Sequence, residues 1–382
     1  MRSLSLLLLP YLFAAEAYAQ TQSADLGGYL EYLFSTTFDS PTGNNTDHLI
    51  HARFNGKWYP STSLTGIMEI RVRGYAGETV EKTPEFAEQL KNRLGYGDLD
   101  ATLWSGHSSI GYAEVDRLSM NWAPKDWLFT VGRQRIAWGT NLVWNVIDVF
   151  NPLSILDFDY PERPAADAVQ VQYFTSAVTK VAVAYKPRTT YSESITGILW
   201  TLNRWDYDFH LVGGEKFGLA YVGGGWAGDI AGGGFRGEML ISRRPDILTG
   251  EATGKLMEST ALSGDYTFPS SFYVHTEVLY NSLGVNKGGA VYLPISQRLG
   301  LLSPSRWSVY QELAYDISSL VRGSLFGIYN PGDRSVALVP SVSWSAATNL
   351  DVMVLGLIFS GASGTQYGAL GKGIYIQTKW SF

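Results

Sequence analysis

The sequence predicts an all-β protein, an antiparallel transmembrane β-barrel, and three observations point to this fold class. Apolar and polar residues alternate with period two in successive segments of about ten residues, as expected when one face of a strand meets lipid and the other meets water. The 382-residue chain contains 23 tyrosines, 12 tryptophans and 41 glycines, which suits aromatic rings at the lipid headgroups and glycine-rich turns. Finally, no run of about 18 apolar residues predicts a transmembrane helix.

The first residues have the pattern of a secretory signal peptide. A basic residue precedes an apolar stretch from Leu4 to Ala15, and Ala17-Tyr18-Ala19 places small residues before Gln20. A charged start, an apolar core and a small-residue cleavage site are typical of exported proteins. We expect residues 1–19 to be the signal peptide. Residues 20–382 are expected to form a single barrel domain, because no linker or shift in composition divides them.

Alternation predicts eighteen strands, with sixteen as the alternative number. In the clearest segment, Met68, Ile70 and Val72 share one face of a strand that carries charges on the other. An even number returns both termini to the same side, as a closed antiparallel barrel requires. The strands are predicted at residues 26–38, 47–59, 62–76, 111–123, 126–136, 167–177, 178–187, 196–204, 205–215, 216–228, 231–243, 257–268, 271–283, 306–319, 320–330, 334–346, 348–360 and 371–382.

Short turns and long loops are predicted to lie at opposite ends of the barrel. With the N-terminus on the periplasmic side, the short turns are periplasmic and the long loops extracellular, which is the usual asymmetry of such barrels. The short turns are predicted at Pro60-Ser61, Pro124-Lys125, Ala177-Val178, Asp229-Ile230, Pro269-Ser270, Ser318-Ser319 and Ala346-Ala347.

The last strand is amphipathic and ends in an aromatic residue. Ile374, Ile376, Trp380 and Phe382 share one face of it. This ending resembles the C-terminal signal that the outer-membrane assembly machinery reads. We therefore expect the assembly machinery and outer-membrane lipid as partners, and the cell outer membrane as the location.

Composition argues against several other classes of protein. The chain has no cysteine, which excludes a disulfide scaffold, thiolate metal sites and covalently attached haem. The net charge of -6 argues against a nucleic-acid partner, because phosphate binding needs a basic excess. None of the five histidines lies in a nucleophile or metal-ligand motif, and no Gly-x-Ser-x-Gly sequence occurs. We expect no enzyme activity, no cofactor and no metal.

Strand parity assigns two oppositely charged walls to the lumen. Opposed charges would set up a transverse field that orders water and favours polar solutes. Alternatively, the inward charges only solvate the lumen and pair with one another. The predicted basic wall consists of Arg53, Lys57, Arg71, Arg73, Arg117 and Lys379. The predicted acidic wall consists of Asp206, Asp208, Glu238, Asp265, Glu277 and Glu312.

Parity is ambiguous in the fifth predicted strand. Arg133 and Arg135 share parity with Phe129 and Val131, which should face lipid. Either a bulge at Gly132 resets the alternation, or the two arginines lie at the outer rim and reach lipid headgroups.

The connection from 137 to 166 is the most aromatic loop, and a short helix is predicted over Asn141–Phe150 because Asn151-Pro152 would terminate it. Folding back into the lumen would bury the aromatic residues and present acids to the solute path. The alternative is a loop packed over the rim or against a neighbouring barrel. The charged residues of this predicted constriction loop are Asp148, Asp157, Asp159, Glu162 and Arg163.

Two stretches of sequence resemble a known class of protein. The first is Val131-Gly132-Arg133-Gln134 with Trp138-Gly139 and Asp148-Val149-Phe150-Asn151-Pro152; the second is Gly228-Asp229-Ile230-Ala231-Gly232-Gly233 with Phe235-Arg236-Gly237-Glu238. Together they resemble uncharacterised porin-like outer-membrane proteins of Gram-negative bacteria. The resemblance covers roughly the middle half of the barrel. It implies the fold but no particular solute.

The functional hypothesis is an outer-membrane porin. Small polar or charged solutes would diffuse passively through a water-filled pore narrowed by the loop 137–166, with a homotrimer as one expected assembly. The main alternative is a barrel that forms a sleeve around a separate multihaem cytochrome in a transmembrane electron conduit. A transporter for hydrophobic compounds is a further alternative, and it would need an N-terminal plug.

Overall fold

The computed structural model describes residues 23–40, 43–91, 95–151, 165–188, 193–246, 252–368 and 370–382. The predicted signal peptide, residues 1–19, lies outside them. The described residues form nineteen strands and three helices. The strands are β1 (Ala24–Ser40), β2 (Gly43–Ser61), β3 (Leu64–Gly77), β4 (Asp100–Ser105), β5 (Ser109–Trp122), β6 (Trp127–Gln134), β7 (Ala166–Phe174), β8 (Lys180–Lys186), β9 (Ile195–Arg204), β10 (Tyr207–Lys216), β11 (Leu219–Ile230), β12 (Gly233–Pro245), β13 (Ala252–Thr267), β14 (Phe272–Asn281), β15 (Trp307–Ser318), β16 (Val321–Asn330), β17 (Ser335–Ala347), β18 (Leu350–Ser360) and β19 (Lys372–Ser381). The helices are α1 (Glu78–Lys82), α2 (Phe86–Leu90) and α3 (Gly289–Leu299).

Eighteen of these strands close into one antiparallel barrel, which confirms the predicted fold and strand number. Each strand pairs with the next along the wall, and β19 returns to pair with β1 from Phe38 opposite Lys372 to Tyr29 opposite Ser381. Closure leaves no edge in the ring, so every strand can satisfy its backbone hydrogen bonds inside the membrane. All eighteen predicted strands overlap observed ones.

The remaining strand, β4, is absent from the prediction. It continues the wall beyond the end of β6, towards the long-loop end of the barrel. Within the described part of the chain, β6 pairs with β5 from Trp122 up to Leu118. Above that level β4 pairs with β5, from Glu114 to Ile110. A strand from the connection between β3 and β5 thus completes the wall where β6 has left it.

Exposure along the strands is the reverse of that in a soluble protein. On β2, Ile50 and Phe54 are 55% and 52% exposed, whereas His51 and Arg53 are 0% and 1% exposed. Apolar side chains point outward because the surrounding solvent there is lipid, and polar side chains point into the interior. No helix among the described residues has the length and apolar character needed to cross a membrane.

The short turns predicted from the sequence all lie at one end of the barrel, and the long connections lie at the other end, which also has a two-residue connection between β10 and β11. The prediction omits one short turn, between β9 and β10. Trp205 and Asp206 occupy it, with φ angles of 57° and 62°. The assignment of Asp206 to the lumen-facing acidic wall is therefore wrong, because the residue is exposed in this turn.

Candidate functional site

Residues 135–151, which we call the inner segment, leave the wall after β6 and pack inside the barrel. Ile136, Trp138 and Ile147 are 1%, 3% and 0% exposed. They form one cluster with small and apolar side chains on the inward faces of the wall strands. The three aromatic residues of the inner segment, Trp138, Trp144 and Phe150, are therefore buried and not solvated. The wall residues of the cluster include Ala166, Ala168, Ala182, Ala184, Ile195, Leu199, Val212, Leu279, Ile328 and Ala337.

Glu238 on β12 anchors the inner segment through its backbone. Its carboxylate accepts hydrogen bonds from the amide of Thr140, from the amide of Asn141 at 2.7 Å and from the amide of Ile147 at 3.1 Å. The hydroxyl of Thr140 donates a further bond at 3.1 Å. A buried carboxylate is costly unless it is hydrogen-bonded, and here one carboxylate satisfies three buried amides in return.

Glu277 on β14 is a second anchor of the same kind. It accepts hydrogen bonds from the amides of Val143 at 3.1 Å and Trp144 at 2.6 Å. His275, on the same face of β14, places Nε2 3.6 Å from the Glu277 carboxylate. Glu277 and Glu238 were predicted on an acidic lumen wall. They do point inward, but both carboxylates bind the inner segment.

The predicted helix over Asn141–Phe150 is wrong. The inner segment is irregular from 135 to 151, with only bends and one turn. A helix over these residues would have satisfied the amide of Ile147 internally but not those of its first turn, which include Asn141, Val143 and Trp144. The wall carboxylates provide the acceptors instead, and the side chain of Asn151 also accepts a bond from the amide of Ile136 at 3.1 Å.

Of the charged residues predicted to constrict the pore, only Asp148 lies among the described residues. It is 3% exposed within the inner segment. The other four residues, Asp157, Asp159, Glu162 and Arg163, lie outside the described residues.

Tyr367, from the connection between β18 and β19, packs against the same cluster as the inner segment. Burial raises the pKa of its hydroxyl, and the nearby Asp333 raises it further. The hydroxyl therefore stays protonated, and it accepts a hydrogen bond from the side chain of Gln366 at 3.1 Å.

The predicted basic wall is a mixed cluster of arginines and carboxylates, which we call the arginine cluster. It consists of Arg53, Arg71, Arg73, Arg117, Glu69, Glu114 and Asp116. Arg53 contacts Glu69 and lies 2.7 Å from Asp116. Arg71 contacts Glu114, and Arg73 lies 3.5 Å from the same carboxylate. The arginines share one wall, but Glu69, Glu114 and Asp116 lie among them, so this wall is mixed in charge.

Glu114 and Asp116 are the residues of this cluster that sequence parity misses. A bulge in β5 causes this, because the pairing with β3 shifts between Arg117, opposite Glu69, and Val115, opposite Ile70. The shift lets Asp116 and Arg117 both turn to the interior, and both are buried. A bulge places an extra residue in one strand, so the alternation above it is reversed.

The other two members of the predicted basic wall lie apart from the arginine cluster. Lys57 is exposed near the short-turn end of β2. The ammonium of Lys379 lies 3.9 Å from the centre of the Tyr29 ring, a cation–π contact across β19 and β1.

The remaining residues of the predicted acidic wall have local partners. Asp265 forms an ion pair with Arg236. Glu312 accepts a hydrogen bond from the hydroxyl of Tyr310 at 3.0 Å. Asp208 accepts one from the side chain of Asn203 at 2.8 Å near the short-turn end.

Arg133 lies at the point where β6 ends, and neither sequence interpretation describes it. It is 5% exposed, and the pairing of β6 with its neighbours shows no register shift at Gly132. Its guanidinium pairs with Asp167 on β7 at 2.6 Å and donates to the carbonyl of Gly97 at 2.8 Å. The loop before β4 therefore covers this arginine. Arg135, in contrast, is exposed.

Two cavities lie inside the barrel, and the inner segment lines one of them. One, of about 580 Å³, lies between the inner segment, the long-loop ends of β10–β13 and the end of α3. The other, of about 730 Å³, lies at the short-turn end beside β15–β19. Among the described residues, no three acidic or histidine side chains converge as metal ligands would.

Comparisons with known proteins show the fold. No protein-family model matches the chain, and no curated protein matches its sequence. Solved structures do match. OccAB2 of Acinetobacter baumannii has a TM-score of 0.61 at 6% identity, with 94% of this chain and 98% of that chain covered. OccAB3 of the same organism has a TM-score of 0.58 at 11% identity, with 94% and 99% covered.

A third similar structure, OccD3 (OpdP) of Pseudomonas aeruginosa, has a TM-score of 0.55 at 9% identity, with 94% of this chain and 91% of that chain covered. The chain therefore has the fold of a porin-type barrel, as the resemblance in its sequence implied. A closed barrel with an apolar outer face is suited to span a lipid bilayer.

Proposed function

We propose that this protein is an outer-membrane porin through which small polar or charged solutes diffuse passively. The inner segment, most of which belongs to the loop 137–166, forms the narrow part of the pore. The observation that carries this proposal is the anchoring of the segment by Glu238 and Glu277, which hold its backbone inside the barrel. A segment tied to the wall at two points can set the width of a pore and exclude large solutes.

The two cavities support water-filled space inside the barrel towards both of its ends. The short-turn cavity is lined by serines and by charged residues, among them Asp316, Arg322 and Lys379. The arginine cluster places further charges on the lumen side of β2, β3 and β5. A lumen with such walls favours polar and charged solutes over apolar ones.

Conductance of the purified protein in a planar bilayer tests the proposal. We expect discrete channel steps, and larger steps when residues 139–149 are replaced by a flexible glycine-serine linker of equal length. The same linker in place of residues 80–90, in the connection that carries α1 and α2, is the control and should leave the step size unchanged. Absence of steps would overturn the porin, and steps that are insensitive to the first replacement would overturn the narrowing.

The cytochrome sleeve receives no support from the interior of the barrel. The inner segment packs where a separate protein would have to lie, and it buries side chains against β7–β17. The absence of a catalytic motif in the sequence likewise favours a channel over an enzyme.

The proposal also includes insertion of the barrel into the membrane and association of its subunits. Phe382 exchanges two backbone hydrogen bonds of 3.0 Å with Gly28, so the terminal residue extends the β1–β19 pairing. This position suits recognition of the last strand by the assembly machinery before the barrel closes. A homotrimer in outer-membrane lipid is proposed alongside it, and cross-linking in membranes would test the number of subunits.

A further inference from the structure

The cavity of about 580 Å³ differs in chemistry from the rest of the lumen. It lies between the inner segment and the ends of β10–β13, and the last turn of α3 roofs it. Its walls are mainly aliphatic, with Val146, Leu219, Leu240, Met257, Leu299 and Leu301. The short-turn cavity has apolar residues as well, but serines and charged side chains make up a larger share of its lining. The cavity beside the inner segment is therefore the more apolar of the two.

Charged groups of both signs line the same cavity. Lys216 and Arg298 carry positive charge, and Asp148 and Glu193 carry negative charge. Lys216 reaches towards the C-terminal end of α3, since a Cβ placed on Gly300 would lie 3.0 Å from its ammonium nitrogen. The ammonium thus lies close to the C-terminus of α3, a position that favours a cation. Asp148 belongs to the inner segment on another side of the cavity.

We propose that this cavity is a selective site for small zwitterions that carry an apolar group, such as a branched aliphatic or aromatic side chain. The inference rests on the proposed channel function and names its solute class. The volume lies in the range of about 300–1,000 Å³ typical of small-molecule sites, which combine apolar walls with a few polar groups. A zwitterion carries one charge for the cations and one for the anions that line the cavity, and its side chain covers the aliphatic wall.

Solute flux into liposomes that contain the purified protein tests the proposal. Leucine and glutamine are similar in size and share a zwitterionic head, but only leucine has an apolar side chain. We expect leucine flux to saturate and to exceed glutamine flux about tenfold at low concentration, because apolar contacts of this size discriminate by about 10–200-fold. Equal, unsaturated fluxes would overturn the apolar part of the site.

Two analogues test the need for both charges. Isocaproate lacks the ammonium group of leucine, and isoamylamine lacks the carboxylate. Both should permeate more slowly than leucine, and equal flux of either one would overturn the zwitterion assignment.

Variants locate the site. Leu240→Asn and, independently, Met257→Gln should abolish the preference for leucine while channel steps in potassium chloride remain detectable, which shows that the barrel has folded. The matched control is Leu357→Asn, a buried inward leucine on β18 outside this cavity, and it should keep the preference. A preference that survives both cavity variants would place the selectivity elsewhere and overturn the proposal.

Failure of the channel function can be distinguished from failure of the proposed site. Without channel steps the porin function falls, and binding of leucine to the detergent-purified protein by calorimetry then decides the site. Saturable heat that Leu240→Asn abolishes supports the cavity as a binding site, and no heat overturns it.

Discussion

At the scale of single residues, the structure turns two wall carboxylates into anchors. Glu238 and Glu277 are 1% and 0% exposed, and both accept hydrogen bonds from backbone amides of the inner segment. A buried amide without a partner costs free energy comparable to a lost hydrogen bond. The carboxylates and the amides therefore depend on each other, and the conformation of the inner segment depends on both.

Replacing Glu238 by glutamine tests this dependence. One oxygen of the carboxylate becomes an NH₂ group, which cannot accept a bond from an amide, so at least one of the three contacts is lost. We expect the free energy of unfolding to fall by about 1–3 kcal/mol and channel steps to become larger and noisier. Thermal unfolding and bilayer recordings measure the two effects.

Asp351→Asn is the matched control, because it removes a lumen carboxylate at the short-turn cavity, away from the inner segment. It should leave the noise of the open channel unchanged. Equal effects of the two substitutions would show that lumen charge, and not anchoring, sets the behaviour.

At the scale of elements, β4 and the loop before it seal a gap in the wall. Arg133 joins three parts of the structure: it pairs with Asp167 on β7, donates to the carbonyl of Val115 on β5 at 3.0 Å and donates to Gly97. Asp167 in turn accepts bonds from the amides of Tyr96 and Gly97 at 2.6 and 3.1 Å. The loop is thus fastened where β6 no longer supplies a neighbour for β5.

Arg133→Gln should loosen this loop. Removing one partner of a buried ion pair leaves the other charge unpaired, which costs about 3–5 kcal/mol. We expect lower thermal stability and faster proteolysis within residues 78–108, measured by mass spectrometry of the fragments.

The ion pair of Arg322 with Asp316, at 2.7 Å, offers a control, because its two side chains are 42% and 45% exposed. Arg322→Gln should cost less than about 1 kcal/mol, as exposed pairs usually do. Adding Asp167→Asn to Arg133→Gln should lower the stability little further, because the two side chains fasten the same loop. Fully additive losses of stability would contradict this shared role.

At the scale of the whole molecule, the lumen has no purely basic side facing a purely acidic one. The arginine cluster contains Glu69, Glu114 and Asp116 beside its four arginines. On the facing wall, Asp265 is paired with Arg236. The charges therefore act over short distances, and any transverse field comes from a small local excess.

Removing cations from the arginine cluster should shift its balance of positive and negative charge and change the ion selectivity of the pore. In the triple variant Arg71→Gln, Arg73→Gln and Arg117→Gln, three carboxylates face one remaining arginine, so the local potential becomes negative. We expect the reversal potential in a salt gradient to shift towards cations. A change of one kT in the potential alters local ion concentration about threefold.

Arg204→Gln is the control, since Arg204 is exposed at the short-turn end of β9. It should leave the reversal potential unchanged. An unchanged potential in the triple variant would mean that solutes do not pass these side chains.

Alternation located all eighteen barrel strands because one face of each strand meets lipid, and this pattern is local in the sequence. It did not locate β4, whose residues from Ala101 to Ser105 are all exposed and do not alternate. It also failed above the bulge at Asp116 and at Arg133, where the surroundings of a side chain depend on other parts of the chain. The inward-facing residues at 166, 168, 182 and 184 are all alanines, and this apolar pattern in the sequence indicates that the wall there faces protein and not water.

The sequence by itself determined the fold class, the strand positions and the two ends of the barrel, because each follows from neighbouring residues and their contact with lipid or water. Only the tertiary structure decided which partners the inward charges have. Glu238 lies about a hundred positions from the amides it binds, and Arg53 pairs with acids on two other strands. Such contacts depend on barrel closure and strand register, which bring distant residues together and which residue order alone does not specify.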